Sequence, residues 1–145
     1  MKKLIVFLVL FAALGAAATT PPEVNEKVLK AFKETFSKAT DVVWHELPNT
    51  YLASFKQSEI TARATYDTEG NLLRTTRYYS EESLPIHVIA KLKKKYSEKS
   101  VYGITEITEN DAVAYFVTLH DAKNWYIVRA DNWGGLELTK KYRKA

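Results

Sequence analysis

Between residues 51 and 67 the chain alternates. Tyr51, Ala53 and Phe55 take turns with Leu52, Ser54 and Lys56, and Ile60, Ala62, Ala64 and Tyr66 then take turns with Thr61, Arg63, Thr65 and Asp67. A period of two belongs to a strand with one buried face. The connections, Gln57-Ser58-Glu59 and Thr68-Glu69-Gly70-Asn71, are too short for the crossover that parallel strands require. The pattern therefore dictates an antiparallel meander. Val43–Leu47 precedes it as a short strand ending at Pro48-Asn49, and Leu72–Tyr79 follows it. Further strands are expected near Tyr102–Thr108, Val113–His120, Trp125–Asp131 and Leu136–Tyr142.

Two stretches have a different period. Val24, Val28, Phe32 and Phe36 recur every fourth residue with Leu29 beside them, which predicts a helix over roughly 23–38. Thr20 and Glu23 have capping-box spacing, and Pro21-Pro22 suits a first turn. Ser83-Leu84-Pro85 opens a second helix striped by Val88, Ile89, Leu92 and Tyr96. Val28, Phe32, Phe36 and Ser37 answer Val88, Leu92, Tyr96 and Ser97. Further on, Tyr51, Asp67, Gly70, Leu72, Thr75 and Tyr78 answer Tyr115, Asp131, Gly134, Leu136, Thr139 and Tyr142. Read as a duplication, this predicts an α+β protein of two tandem helix–four-strand repeats, residues 19–80 and 81–145, forming one compact domain. The helices would pack on one face of one eight-stranded antiparallel sheet, or of two sheets joined edge to edge. The expected core is Val28, Phe32, Phe36, Trp44, Phe55, Leu72, Val88, Leu92, Tyr96, Phe116 and Leu136. Within Asp67-Thr-Glu-Gly70-Asn-Leu72 and Asp131-Asn-Trp-Gly134-Gly-Leu136, the Asp is expected to bond turn amides and the Gly to supply a positive φ.

Residues 1–18 read as a secretory signal peptide. Lys2 and Lys3 form the basic region, Leu4–Leu14 the apolar run and Ala16-Ala17-Ala18 the cleavage site. The run is short for a hydrocarbon core of about 30 Å, so cleavage rather than stable membrane insertion is expected. The mature protein is expected in the periplasm or outside the cell. With no Cys, there is no lipidated cysteine, disulfide, thiol nucleophile or Cys-ligated zinc. Removing the leader lowers the formal charge from +4 to +2, which argues against a nucleic-acid partner.

No motif for catalysis stands out. His45, His87 and His120 lie far apart and lack the spacing of a preformed metal site. There is no nucleophile elbow, S-x-x-K pair or phosphate-binding loop. The reading is a non-enzyme with no cofactor, metal or catalytic residue. Lys91, Lys93, Lys94 and Lys95 are expected to form a solvated helix face. If helices cover one face of the sheet, the other is wet. Outward candidates are Arg63, Thr65, Arg74 or Arg77, His120, Arg129 and Lys141, with Tyr78, Tyr79, Trp125 and Tyr126 interspersed. Tyr, Trp and Arg together suit a protein interface.

The striped helix ending Ala31-Phe32…Phe36, then Val43-Trp44, Tyr51-x-Ala-x-Phe55, Asp67-x-x-Gly70-x-Leu72 and the Leu84-Pro85 helix start occur in an order that resembles the beta-lactamase-inhibitor-like, PepSY-like family of exported bacterial proteins. One departure is Phe36-Ser37, where Phe-Pro is the more familiar pair. The resemblance implies helices on one face of an antiparallel sheet and a periplasmic binding or inhibitory role without catalysis. With the correspondence between the halves, it adds two hairpin tips, Lys56–Glu59 and His120–Asn124, to the candidate contacts; Trp133, an aromatic on a Gly-flanked turn, is a further candidate, either folded back into the core or an exposed anchor. The expected partner-binding set is Glu59, Arg63, Arg77, Tyr79, His120, Asp121, Trp125, Arg129 and Trp133. The expected partner is a periplasmic or envelope protein. The alternative is a glycan or small ligand stacked on rings such as Trp125 and Tyr126.

Overall fold

The computed structural model describes residues 22–145. The expected leader, and Thr20 as a helix cap, lie outside the described residues. The first helix, α1, spans Glu26–Thr35, and Asn25 caps it by accepting the Lys27 amide at 2.8 Å. It is shorter than the 23–38 expected, because the Asn25 cap sets its start and Phe36 already leaves helical geometry. The second, α2, spans Ile86–Lys95 behind Pro85 and a 3-10 turn at Glu81–Ser83.

Eight strands follow one another across a single sheet: β1 (Thr40–Leu47), β2 (Thr50–Gln57), β3 (Ile60–Asp67), β4 (Leu72–Tyr79), β5 (Ser100–Glu109), β6 (Ala112–His120), β7 (Asn124–Asp131) and β8 (Leu136–Arg143). Each pairs antiparallel with its neighbour in sequence, in the order β1 to β8. The expectation of an α+β protein made of two tandem helix–four-strand repeats is corrected here. Strands hold 54% of the described residues against two helices of ten residues each, so the fold is mainly β. Nor does the sheet divide into units. β4 and β5 pair over six residue positions, from Arg74↔Glu109 to Tyr79↔Ile104.

Cross-strand partners share a face, so the register traces both sides of the sheet. Phe55, Ala62, Arg77, Glu106, Tyr115, Ala130 and Leu136 lie opposite one another in sequence across β2 to β8, all on the helix side. The core sits there in two clusters. Under α1, Val28 and Phe32 meet Ala53, Phe55, Ala62, Ala64 and Tyr66. Under α2, Val88 and Leu92 meet Ile104, Tyr115, Val117, Leu119, Tyr126, Val128 and Ala130. Phe32 is the hub of the first cluster, with ring centroids of Trp44 and Phe55 at 5.1 Å and Tyr66 at 6.5 Å. Tyr66 is fully buried, and its hydroxyl has no hydrogen-bond partner among the described residues. The nearby Thr35 hydroxyl donates to the Ala31 carbonyl at 2.9 Å.

Of the expected core, Val28, Phe32, Phe55, Val88 and Leu92 are buried, and Phe36, Trp44, Tyr96 and Leu136 pack half-buried against it. Leu72 and Phe116 are corrections. A bulge between Thr65 and Tyr66 sets Leu72 opposite the buried Tyr66, on the helix side, but at this end of β4 Leu72 stays 42% exposed. In β6, Tyr115, Val117 and Leu119 take the helix side, so Phe116 faces the opposite way. A strand cannot bury both sets under one layer of helix.

The Asp turns act as expected. Asp67 Oδ1 accepts the Glu69 and Asn71 amides, and Asp131 Oδ1 accepts those of Trp133 and Gly135. Gly70 and Gly134 hold φ of +87° and +80°. A Cβ at Gly70 would lie 2.9 Å from the Lys27 carbonyl oxygen, so this turn also lets α1 approach the sheet closely.

Candidate partner-binding surface

The face opposite the helices carries a central row of Thr61, Tyr78, Thr105, Phe116, Arg129 and Glu137, each opposite the next across β3 to β8. Beside it run Ser54, Arg63, Thr76, Ile107 and Ala114. Ile127 lies between Thr118 and Lys140. Phe116, Ile107 and Ile127 are half-buried by their neighbours on this face. The Arg63 guanidinium lies 5.8 Å from the Tyr78 ring centroid, a cation–π contact that holds it flat.

An aromatic and cationic cluster closes one end of this face. A bulge in β5 pairs Val101 with Leu119 and Gly103 with Thr118, which leaves Tyr102 outside the ladder. Tyr102 is 71% exposed and stands nearly perpendicular to Trp125 at 5.1 Å. His120 also lies 5.1 Å from Trp125, and Lys144 Nζ sits 4.8 Å from the same ring. The Lys144 ammonium is 3.2 Å from His120 Nδ1. An ammonium only donates, so Nδ1 accepts and a neutral His120 carries its proton on Nε2.

The expected residues separate into four places. Arg63, His120, Trp125 and Arg129 share the open face. Glu59 and Asp121 lie at hairpin tips at one end of the meander, and Trp133 lies at the other. Arg77 and Tyr79, expected on the exposed face, project from the helix side. Arg77 donates to both Glu106 oxygens at 3.0 and 3.3 Å, and the Tyr79 hydroxyl donates to Glu106 Oε2 at 2.5 Å. Burial and the Glu106 charge push the Tyr79 phenol well above its usual range. Tyr126 is also on the helix side, only 7% exposed, between Lys99 and Lys141.

Asp121 is part of its turn. Its Oδ1 accepts the Lys123 and Asn124 amides at 2.8 Å, and its Oδ2 accepts the Tyr126 hydroxyl at 2.6 Å and Lys99 at 3.4 Å. The Tyr126 hydroxyl first, then the two amides, hold this carboxyl far below its ordinary value. Trp133 is 82% exposed. The lysines of α2 are not a plain solvated face. Lys91 donates to the Trp133 carbonyl, Lys95 to that of Leu136, and Lys93 pairs with Glu81. They fasten α2 to the β7–β8 turn and the preceding loop.

Tyr102, Phe116 and Ile127 are members of the surface that sequence reasoning missed, and only Tyr102 had a signal. Its signal was Tyr102-Gly103 inside a strand, since an isolated Gly there marks a bulge. Among the described residues, no three His, Asp or Glu side chains gather to hold a metal. None of the described helices is long and apolar enough to cross a membrane.

No family model matches the chain, and no curated protein is similar at a significant level. Solved structures are similar across most of its length. A BLIP-like protein from Bacteroides fragilis matches with a TM-score of 0.65 at 19% identity, covering 88% of each chain. A DUF2874 family protein from Bacteroides ovatus matches with a TM-score of 0.64 at 20% identity, covering 86% of this chain and 89% of its own. A candidate periplasmic protein from Bacteroides eggerthii matches with a TM-score of 0.64 at 13% identity, covering 84% of this chain and 90% of its own. At these identities the likeness shows a shared fold, beta-lactamase-inhibitor-like.

Proposed function

We propose that this chain is a non-catalytic binding module of the periplasm that grips a protein partner with the open face of its sheet. The carrying observation is that Phe116, Ile127, Trp125 and Tyr102 lie on a sheet face that neither described helix covers, with Arg63 and Arg129 among them. Large rings with few rotatable bonds, flanked by Arg, are the residues that dominate interface energetics. Cross-strand packing fixes them before any partner arrives, which lowers the ordering cost of association. The contact would centre on Trp125 and Tyr102, with Arg63, His120 and Arg129 around them. Glu59 would add a contact at one tip, and Asp121 would hold the other tip in shape. Location in the periplasm is supported by the leader-like residues 1–18 and by the B. eggerthii neighbour.

Affinity capture from periplasmic extract with residues 19–145 tests this, run beside Tyr102→Ala/Trp125→Ala and a helix-side control, Lys94→Ala. The expected result is one protein enriched stoichiometrically by the wild type and the control and lost at least tenfold with the double variant. A partner retained by the double variant would refute the assignment to this face.

A further inference from the structure

On the helix side, the last turn of α1, the β2–β3 hairpin and β4 enclose a groove of about 360 Å3. This is within the size range of small-molecule sites, roughly 300–1,000 Å3. Phe36, Phe55 and Ile60 supply apolar wall, and Gln57 and Thr75 supply neutral polar groups. Among the described residues no carboxylate lines it. It has two charged lining residues, Arg63 and Arg77. Arg63 turns its guanidinium to Tyr78 on the opposite face, which leaves Arg77 as the cation of the groove.

Arg77 is built in. Its Nη1 is tied to Glu106, and its guanidinium lies 5.3 Å from the centroid of the Tyr79 ring. Glu106 is spent on Arg77 and on the Tyr79 hydroxyl. The Arg77 side chain stays 41% exposed. A guanidinium presents five donors in a fixed fork and only Nη1 is used in these bonds, so Nε and Nη2 are left to offer to a ligand. A preformed donor beside an apolar wall recognises an anionic head on an apolar body.

We infer that this groove is a binding site for a small amphipathic carboxylate, its apolar body against Phe36, Phe55 and Ile60 and its carboxylate on Arg77. The site lies on the face opposite Tyr102 and Trp125, so it stands or falls separately from the protein-binding surface.

The experiment is a backbone amide NMR titration of residues 19–145 with octanoate and, separately, with octanol. The expected result is saturable shifts confined to Gln57, Ser58, Ile60, Thr75, Arg77 and neighbouring amides, with octanoate binding at least tenfold tighter than octanol. Arg77→Met should abolish that preference. Because Arg77→Met strands Glu106, Ile60→Trp provides a second variant that fills the groove and leaves the Arg77–Glu106 pair intact; it should block both probes. Tyr102→Ala/Trp125→Ala should leave octanoate binding unchanged. Equal affinity for the two probes, shifts centred on the open face, or no saturable shifts at millimolar octanoate would each overturn the inference.

Discussion

Replacing Tyr66 by Phe should make the protein more stable. The Tyr66 ring is fully buried beside Phe32, and its hydroxyl meets no partner. Folding therefore strips water from a donor and acceptor and returns nothing for it. An unsatisfied buried polar group costs about 1–3 kcal/mol, whereas the ring and its packing are the same in Phe. Removing one oxygen leaves a void too small to carry much of a cavity cost, so the net gain should be about 1–2 kcal/mol. For a domain of this size that is a rise in Tm of roughly 3–6 °C. With a urea m-value of about 1–3 kcal/mol/M, the midpoint should rise by roughly half a molar to one molar. Urea unfolding followed by tryptophan fluorescence reads this directly, with an unchanged m-value as the sign that only stability moved. A loss of about 1 kcal/mol would refute the reasoning, because it would mean the hydroxyl is bonded, either to Thr35 or to an enclosed water.

Other expectations follow from the same packing. Phe32→Ala should cost about 3–5 kcal/mol in the same assay, since four aromatic neighbours lose their common contact. Gly70→Ala should cost about 1–3 kcal/mol and more than Gly134→Ala: both hold positive φ, but a Cβ at Gly70 meets the Lys27 backbone while one at Gly134 meets the flexible Lys91 side chain. Asp67, Asp121 and Asp131 have folded-state values below the ordinary 3.8 because they accept hydrogen bonds, Asp67 first from the Asn71 side chain, Asp121 first from the Tyr126 hydroxyl and Asp131 first from the Gly135 amide. Their stabilisation is present above that value and lost as pH falls below it, so urea midpoints should drop between about pH 4 and pH 2. Tyr66, Tyr79 and Tyr115 are raised above 10.0, chiefly by burial. Their contribution is present below pH 10 and fades as pH rises further, giving an alkaline decline that Tyr79→Phe should lessen.

Strand periodicity and short turns were legible because both are local. The β2–β3 alternation and the Asp67 and Asp131 turns appear in the structure as the residues suggest. Which half of each alternation faces the helices is a tertiary decision. Arg77 and Tyr79 look like surface residues in sequence, yet the register of β4 against β3 and β5 turns them inward onto Glu106. Asp121 looks like a free charge at a hairpin tip, and its Tyr126 and Lys99 partners come from other positions in the fold. Bulges are nearly invisible in sequence: the one in β5 places Tyr102, and the one at Thr65/Tyr66 sets Leu72 rather than Leu73 opposite Tyr66. The two-repeat reading was wrong because it gave the helices too much weight. Ten residues apiece cannot balance a sheet of eight strands.

A sheet whose strands stand in chain order has a consequence for how it can be made. Each strand after the first finds its partner immediately behind it, and so the molecule can assemble in the direction in which the chain emerges, from a ribosome or from a membrane channel. Closing each hairpin spans only a few residues and costs little entropy, while β4 and β5 are joined by the longer stretch that carries α2. The exceptions are the two helices: α2 emerges before β5, β6 and β7, the strands that bury Leu92, and α1 before β2 and β3, the strands that bury Phe32. Until about residue 66 has appeared, that aromatic stripe is bare. The interval between those two moments is where a growing chain of this kind most needs protection from its neighbours.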